Sequence, residues 1–401
     1  MDEDLLDWRT KGFWQPDPVR TADFLAGRPG LFDGAFTWPV LVARRAALEH
    51  NLRTLAGFCA AHGLAFAPHA KTHMAPSLLD AQRAAGAWGV TAATANQVLA
   101  LRRLGAARVV VAGQLLDRGV LRWLAAEAGA GFEVLFQVDS AEGVRAASGL
   151  ALPVLVELGH PGGRAGCRTL GELRAVAAAV AADPALRLAG VAGYEGGLPD
   201  AAAVTGFLDG LRAAVHALAA DRLLGPEVIV ATGGSAWFDL VAARLGGDAG
   251  GPWPPGHRVT TVLRSGAYLS HDEGFYRERT PFNRVEGELL PALTLWAQVL
   301  STPEPGLAIL GAGKRDVSYD EGLPVPRVVR SAAGGGRPGH GLGVTRVNDH
   351  HMFVADPRGV LRPGDLVGLG ISHPCTAFDK WRAIPVLDDD GTVTDVLRTY
   401  F

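Results

Sequence analysis

Long apolar runs are missing from this chain. No uninterrupted stretch reaches the ~18 residues that a membrane-spanning helix needs, so no such helix is expected. Cysteine is scarce. Cys59, Cys167 and Cys375 are three in 401 residues, odd in number and far apart, which argues against a disulfide framework and fits a reducing cytoplasm. An excess of one charge is missing too. Lys plus Arg number 38 and Asp plus Glu 41, for a net charge of -3, which gives no basis for nucleic acid or an anionic membrane as partner. The opening Met1-Asp2-Glu3-Asp4 lacks the charged-then-apolar pattern of a signal peptide. What is present is a globular composition, 48% hydrophobic and 20% charged. The chain is long enough for a barrel of ~250 residues and a second domain.

A regular alternation begins near residue 64. Apolar runs at 64–68, 88–92, 108–112, 133–138, 153–158, 188–192, 227–231 and 259–263 are separated by Ala/Leu/Arg-rich stretches of helical period, among them 95–104, 118–128, 170–182 and 201–220. Eight strands with crossover helices predict an α/β fold, a parallel (β/α)8 TIM-type barrel. The runs are continuous and do not alternate with polar residues, as expected of a sheet buried on both faces. After Gly266 the helical period fades. Runs at 293–300, 307–310, 327–329, 351–354 and 366–370 predict an antiparallel β domain at the C-terminal side. The expected division is a barrel over 44–268 and a β domain built from 1–43 and 269–401. An early strand at 38–43 is assigned to the β domain, ahead of a helix at 45–62.

In such barrels the chemistry sits where strands end and βα loops begin. Those positions carry Lys71, Gln114, Asp139, His160 to Arg164, Tyr194-Glu195, Thr232-Gly233-Gly234-Ser235 and Arg264-Ser265-Gly266. Lys71 lies in Pro68-His69-Ala70-Lys71-Thr72-His73, just past an apolar strand. A lysine so placed either forms a Schiff base with an aldehyde or is a surface residue of the loop. Thr232, Gly233, Gly234 and Ser235, ahead of a helix, and Ser265 and Gly266, after the eighth strand, either cradle a phosphate on backbone N–H groups or form ordinary turns. Arg164 suits a phenolate oxygen or a ring face, and equally a surface position. Tyr194 can offer its hydroxyl to a ring nitrogen or cap the barrel. His373 and Cys375, two apart in an extended segment, suit a divalent metal, and a buried cysteine beside a histidine reads the same way. Asp349-His350-His351 is a further cluster able to supply a base.

Taken together, Pro68 to His73, Arg164, Tyr194-Glu195-Gly196, Gly233-Gly234-Ser235, Arg264-Ser265-Gly266 and His373-Pro374-Cys375 resemble the fold-type III pyridoxal-phosphate enzymes. Within these the chain resembles the D-serine dehydratase and D-threonine aldolase group, which shares the alanine racemase barrel. The resemblance spans most of the chain. It implies that Lys71 carries pyridoxal 5'-phosphate, with His69 beside it. It also implies that Thr232 to Ser235, Ser265 and Gly266 hold the phosphate, that Arg164 meets the ring hydroxyl, and that Tyr194 meets the ring nitrogen. His373 and Cys375 would bind a divalent metal, zinc by preference, in a cytoplasmic homodimer. Met74 departs from the basic residue that many relatives carry after the lysine motif.

The implied reaction is metal-assisted β-elimination from a D-amino acid such as D-serine or D-threonine, giving a 2-oxo acid and ammonia. Lys71 would remove the Cα proton. The nearest alternative is retro-aldol cleavage to glycine and an aldehyde, with His350 or His351 taking the hydroxyl proton. Racemisation needs no metal. A non-enzymatic pyridoxal-phosphate carrier resembles the barrel alone, and the C-terminal domain with its metal pair argues against that reading.

Overall fold

The computed structural model of the protein describes residues 4–247 and 249–401. The chain divides into two compact units. One comprises Leu55–Lys71 and Leu79–Gly266, the other Met1–Thr54, Thr72–Leu78 and Ala267–Phe401.

The first unit is an eight-stranded parallel barrel. Its strands are Ala65–Phe66, Val90–Ala92, Arg108–Gln114, Glu133–Val138, Leu152–Leu158, Leu186–Gly193, Glu227–Thr232 and Arg258–Leu263. Each pairs with its sequence neighbour, and the last pairs with the first. The remaining seam, between the first two strands, is closed by a parallel bridge from His69 to Thr91. Trp88 N donates to Phe66 O at 2.7 Å and Thr91 N to Pro68 O at 2.9 Å along the same seam. The first apolar run spans five residues, but only two form a regular strand. Pro68 has no N–H to give the ladder, so the pairing continues through its carbonyl alone. The barrel interior is packed by Ala67, Val110, Leu135, Leu155, Ala189, Ala192, Ala231 and Val262. Burial on both faces is why these strands read as unbroken apolar runs.

Helices leave the strand ends through side-chain caps. Thr94, Asp117, Ser140, Thr169 and Asp200 each accept a backbone N–H from the first turn of the helix that follows. Each cap fixes where a strand-end loop stops and so holds the loop residues at one rim of the barrel.

The second unit is built on antiparallel strands. The long strand Leu293–Glu304 pairs with Val40–Arg44 on one edge and Leu366–Gly370 on the other. Its first seven residues alternate between buried and half-buried, as expected where one face meets a core. Strands Ala383–Leu387 and Val393–Arg398, which the apolar pattern did not mark, extend this sheet. An aromatic cluster of Phe13, Phe24 and Phe36, with ring centroids 5.1–6.0 Å apart, packs against it. Among the described residues no helix is long and apolar enough to cross a membrane.

Candidate functional site

In the barrel unit, Lys71 lies on a single 3-10 turn, Ala70–Thr72, directly after the first strand, and its side chain is exposed. His69 precedes that turn. Burial, reinforced by the positive charges of Lys71, Arg264 and Arg164, holds the His69 imidazole well below its ordinary pKa, so the ring is neutral. These four side chains are therefore one electrostatic cluster. Arg164 stacks over the Tyr194 ring with its guanidinium carbon 4.7 Å from the centroid. The loop presenting Arg164 is braced from both sides. Gly166 N donates to Asp139 at 2.8 Å, and Arg168 donates to the carbonyls of Gly163, Ala165 and Gly166 at 2.5–2.6 Å.

The glycine loop is organised around Glu195, a partner that the sequence does not indicate. The buried Glu195 carboxylate accepts from Thr232 Oγ1 and Gly233 N, both at 3.2 Å, and from Gly234 N at 2.6 Å. The amides of Gly233 and Gly234 and the Thr232 hydroxyl therefore meet Glu195 in this structure. A buried carboxylate needs such donors to offset its lost hydration. Gly233 has φ +93°, and a Cβ there would lie 2.3 Å from Leu263 Cδ1, so the position requires glycine. Two residues on, Ser235 places its hydroxyl 2.9 Å from that of Ser265. This hydroxyl pair joins the loops after the seventh and eighth strands, the location read from sequence for a phosphate.

Arg264, which the sequence marks at the end of the eighth strand without assigning it a role, is central to this cluster. It is buried, donates Nη2 to Gly193 O at 2.6 Å, and leaves its Nε without a protein partner. Burial lowers its pKa, while Glu157 and Glu195 oppose that shift. Burial raises Glu157, against the pull of Arg264 and Arg164. Glu157 Oε2, His69 Nδ1 and both amide atoms of Gln137 are likewise enclosed without protein partners. So many unmet polar atoms within one barrel are what a missing polar ligand leaves behind. A ligand with an anionic phosphate, a phenolate oxygen and a ring nitrogen fits three cations, a hydroxyl pair and these unmet groups. Pyridoxal phosphate is such a ligand.

In the second unit, His373 and Cys375 flank Pro374 at a short 3-10 turn, Pro374–Thr376. His373 Nδ1 lies 2.8 Å from Asp320 Oδ2, and Thr376 Oγ1 donates to Asp320 Oδ1 at 2.9 Å. Cys375 Sγ lies 3.6 Å from the hydroxyl of Thr72, the residue that follows Lys71 in the sequence. Burial works against a charged His373 ring, but Cys375 and Asp320 outweigh it and raise the pKa to about 9. Phe275 and Tyr276 wall the imidazole, with centroids 5.7 and 5.9 Å away. Among the described residues no cluster of three or more His, Cys, Asp or Glu side chains is arranged to hold a metal. An imidazole and a thiolate, with Asp320 committed to the far ring nitrogen, form a two-donor set that fits a divalent metal with open positions. His350 and His351 do not join this set. They occupy the exposed turn between strands Gly343–Val347 and Met352–Ala355, where Asn348 N donates to His351 O at 2.8 Å.

Two family descriptions match the chain. "Alanine racemase, N-terminal domain" matches residues 44–244, half of its length, and "Putative serine dehydratase domain" matches 292–387. A 3-hydroxy-D-aspartate aldolase of Paracoccus denitrificans (strain Pd 1222) is 26% identical over 362 residues, covering 86% of this chain and 87% of that protein. A D-threonine aldolase of Arthrobacter sp is 27% identical over 403 residues, covering 96% of each. Among solved structures, the D-threonine aldolase from Filomicrobium marinum superposes with a TM-score of 0.77 at 23% identity, covering 91% of this chain and 95% of that one. The D-threo-3-hydroxyaspartate dehydratase from Delftia sp. HT23 gives 0.71 at 23%, covering 91% and 97%. Both superpositions support the fold of barrel plus antiparallel domain. The chain belongs to the alanine racemase-type, fold-type III pyridoxal-phosphate enzymes, in the branch that carries a D-serine dehydratase-like C-terminal domain.

Proposed function

We propose that the protein is a pyridoxal-phosphate-dependent, metal-assisted lyase of D-β-hydroxy amino acids, working by elimination to a 2-oxo acid and ammonia. The observation that carries the lyase reading is the His373–Cys375 pair with Asp320 on the His373 Nδ1, because racemisation has no use for a metal site. Pyridoxal phosphate, when bound, supplies an electron sink that acidifies the bonds to Cα. Lys71 would hold the cofactor, and its amine would take the Cα proton from one face. The Ser235 and Ser265 hydroxyls, with Gly266, would hold the phosphate. Arg164 and Tyr194, stacked together, would meet the ring oxygen and ring nitrogen. His69 stays neutral, so it accepts or donates a hydrogen bond without adding charge. His373 and Cys375 would hold a divalent metal, zinc by its preference for such donors, whose chemistry is Lewis-acid polarisation of a hydroxyl oxygen.

Retro-aldol cleavage is the second reading. It is supported by the aldolases that are 26–27% identical over most of the chain. It needs a base for the hydroxyl proton, and the exposed position of His350 and His351, apart from His373 and Cys375, favours elimination. A cytoplasmic homodimer is part of the proposal, supported by the scarcity of cysteine and by the family. The test is a product assay with D-threonine on protein loaded with cofactor and zinc. 2-Oxobutyrate plus ammonia is the expected result. Glycine plus acetaldehyde would replace elimination with the aldolase reading.

A further inference from the structure

We infer that Asp320 is the positioning residue of the metal pair, and that it sets both the tautomer of His373 and the turn that presents Cys375. This rests on the metal-pair reading above. The Asp320 carboxylate uses its two oxygens on two different residues. Oδ2 takes His373 Nδ1 at 2.8 Å, and Oδ1 takes the Thr376 hydroxyl at 2.9 Å. His373 and Thr376 bracket Cys375 in sequence, so one carboxylate ties down both ends of the four-residue segment whose middle carries the thiol. The segment has few other restraints. Pro374 lacks an N–H, and across the turn Ala377 N donates to Pro374 O at 3.0 Å. A flexible turn would let imidazole and thiol wander, and the capture of a metal would have to order both. The carboxylate does this ordering beforehand.

The tautomer follows from the same contact. A carboxylate beside Nδ1 keeps the proton there, so Nε2 is the nitrogen whose proton a metal would displace. Without Asp320 the ring is free to place its proton on Nε2, the state in which that nitrogen has no lone pair for a metal. The Thr72 hydroxyl 3.6 Å from Cys375 Sγ adds a second outer partner, on the sulfur side. Each Asp320 oxygen already holds a side chain of the turn, the role of an outer partner. None of the spacing rules that mark His373 and Cys375 reaches Asp320, which lies 53 residues earlier.

The test is the zinc affinity of the intact protein, measured by competition with a chromophoric chelator. Wild type, Asp320→Asn and Thr376→Val are compared, with the visible absorbance of bound pyridoxal phosphate as an independent control. Asp320→Asn keeps the shape of the side chain but loses the charge that fixes Nδ1–H. We expect zinc to bind ~10–100-fold more weakly, the range for removal of an outer-shell carboxylate partner, with cofactor absorbance unchanged. Thr376→Val leaves the tautomer alone and loosens only the turn, so its loss is expected to be smaller. Cobalt substitution supplies a second readout. The thiolate-to-cobalt absorption band of the wild type should weaken or shift in Asp320→Asn. Zinc affinity in Asp320→Asn within twofold of wild type, with an unchanged cobalt band, would overturn the positioning role while leaving the metal pair in place. Failure of the wild type itself to bind zinc or cobalt would overturn both.

Discussion

Lys71 and His373 divide the proposed chemistry between them, and single substitutions should separate their parts. Lys71→Ala removes the amine that would hold the cofactor and move the Cα proton. Its visible cofactor absorbance is expected to vanish, and D-threonine turnover to fall by at least the ~10²–10⁴ that a general base contributes. Retained turnover would remove Lys71 from the mechanism. His373→Ala leaves the barrel cluster of His69, Arg164 and Arg264 untouched. Cofactor absorbance should therefore persist while turnover falls on the order of 10²-fold, the equivalent of about 3 kcal/mol of Lewis-acid assistance. Unchanged turnover with D-serine would deny the metal a part in the reaction. Glu195 shows the limit of reading such sites from sequence. Thr232-Gly233-Gly234-Ser235 has the composition of an anion-binding loop, and it does bind an anionic group, the carboxylate of Glu195. Sequence chemistry located the anion-binding amides. The partner, 38 residues away along the chain from Gly233, was decided by packing.

At the scale of elements, the barrel was legible because its strands are buried on both faces and so appear as uninterrupted apolar runs. Helices Leu170–Ala182 and Ala201–Ala220 fall where the helical period placed them, since amphipathic spacing and a capping Thr or Asp mark both start and phase. The antiparallel unit was harder. Strands Ala383–Leu387 and Val393–Arg398 are short, broken by Pro385 and Asp395, and recognisable only through the neighbours they pair with. Asp320 was invisible for a related reason: no periodicity links it to His373. One barrel element carries a sharper constraint than its sequence suggests. Gly190, inside the strand Leu186–Gly193, has φ +143°, and a Cβ there would lie 2.0 Å from Ile229 O and 2.7 Å from Ile229 N. Backbone of the neighbouring strand cannot yield as a side-chain tip can. Gly190→Ala is expected to cost at least ~3 kcal/mol, since it combines backbone strain with a broken ladder. A denaturant midpoint close to that of wild type would show that the strand pair can open without loss.

At the scale of the whole molecule, pH tests how the fold holds its buried charges, and His271 and Asp272 make the sharpest case. Both are buried and adjacent. Burial, with help from Arg277, pushes the His271 imidazole down from 6.5 to about 4, and its Nδ1 has no protein partner. Burial pushes the Asp272 carboxyl up from 3.8 to about 6, against the N–H groups of Gly274, Arg277 and Tyr276. The signs oppose. A histidine depressed in the folded state adds stability that is fully present above pH 6.5 and is lost as the unfolded chain takes up protons between 6.5 and 4. At about 1.4 kcal/mol per pH unit this loss approaches ~3 kcal/mol. An aspartate raised in the folded state does the reverse. Its cost stands above pH 6 and is relieved as the folded chain takes up a proton between 6 and 3.8. Across one window the two changes nearly cancel, so this corner of the wild-type protein adds little slope to the stability curve. His271→Asn breaks the balance. Asparagine tolerates the φ of +46° at this position and does not titrate. The variant should gain on wild type as pH falls from 7 to 4.5, closing or reversing any deficit at neutral pH by several degrees in thermal midpoint. All other titrating groups are common to both proteins and drop out of the difference. Two midpoint curves running parallel over this range would mean that His271 takes up its proton as readily in the folded chain as in the unfolded one.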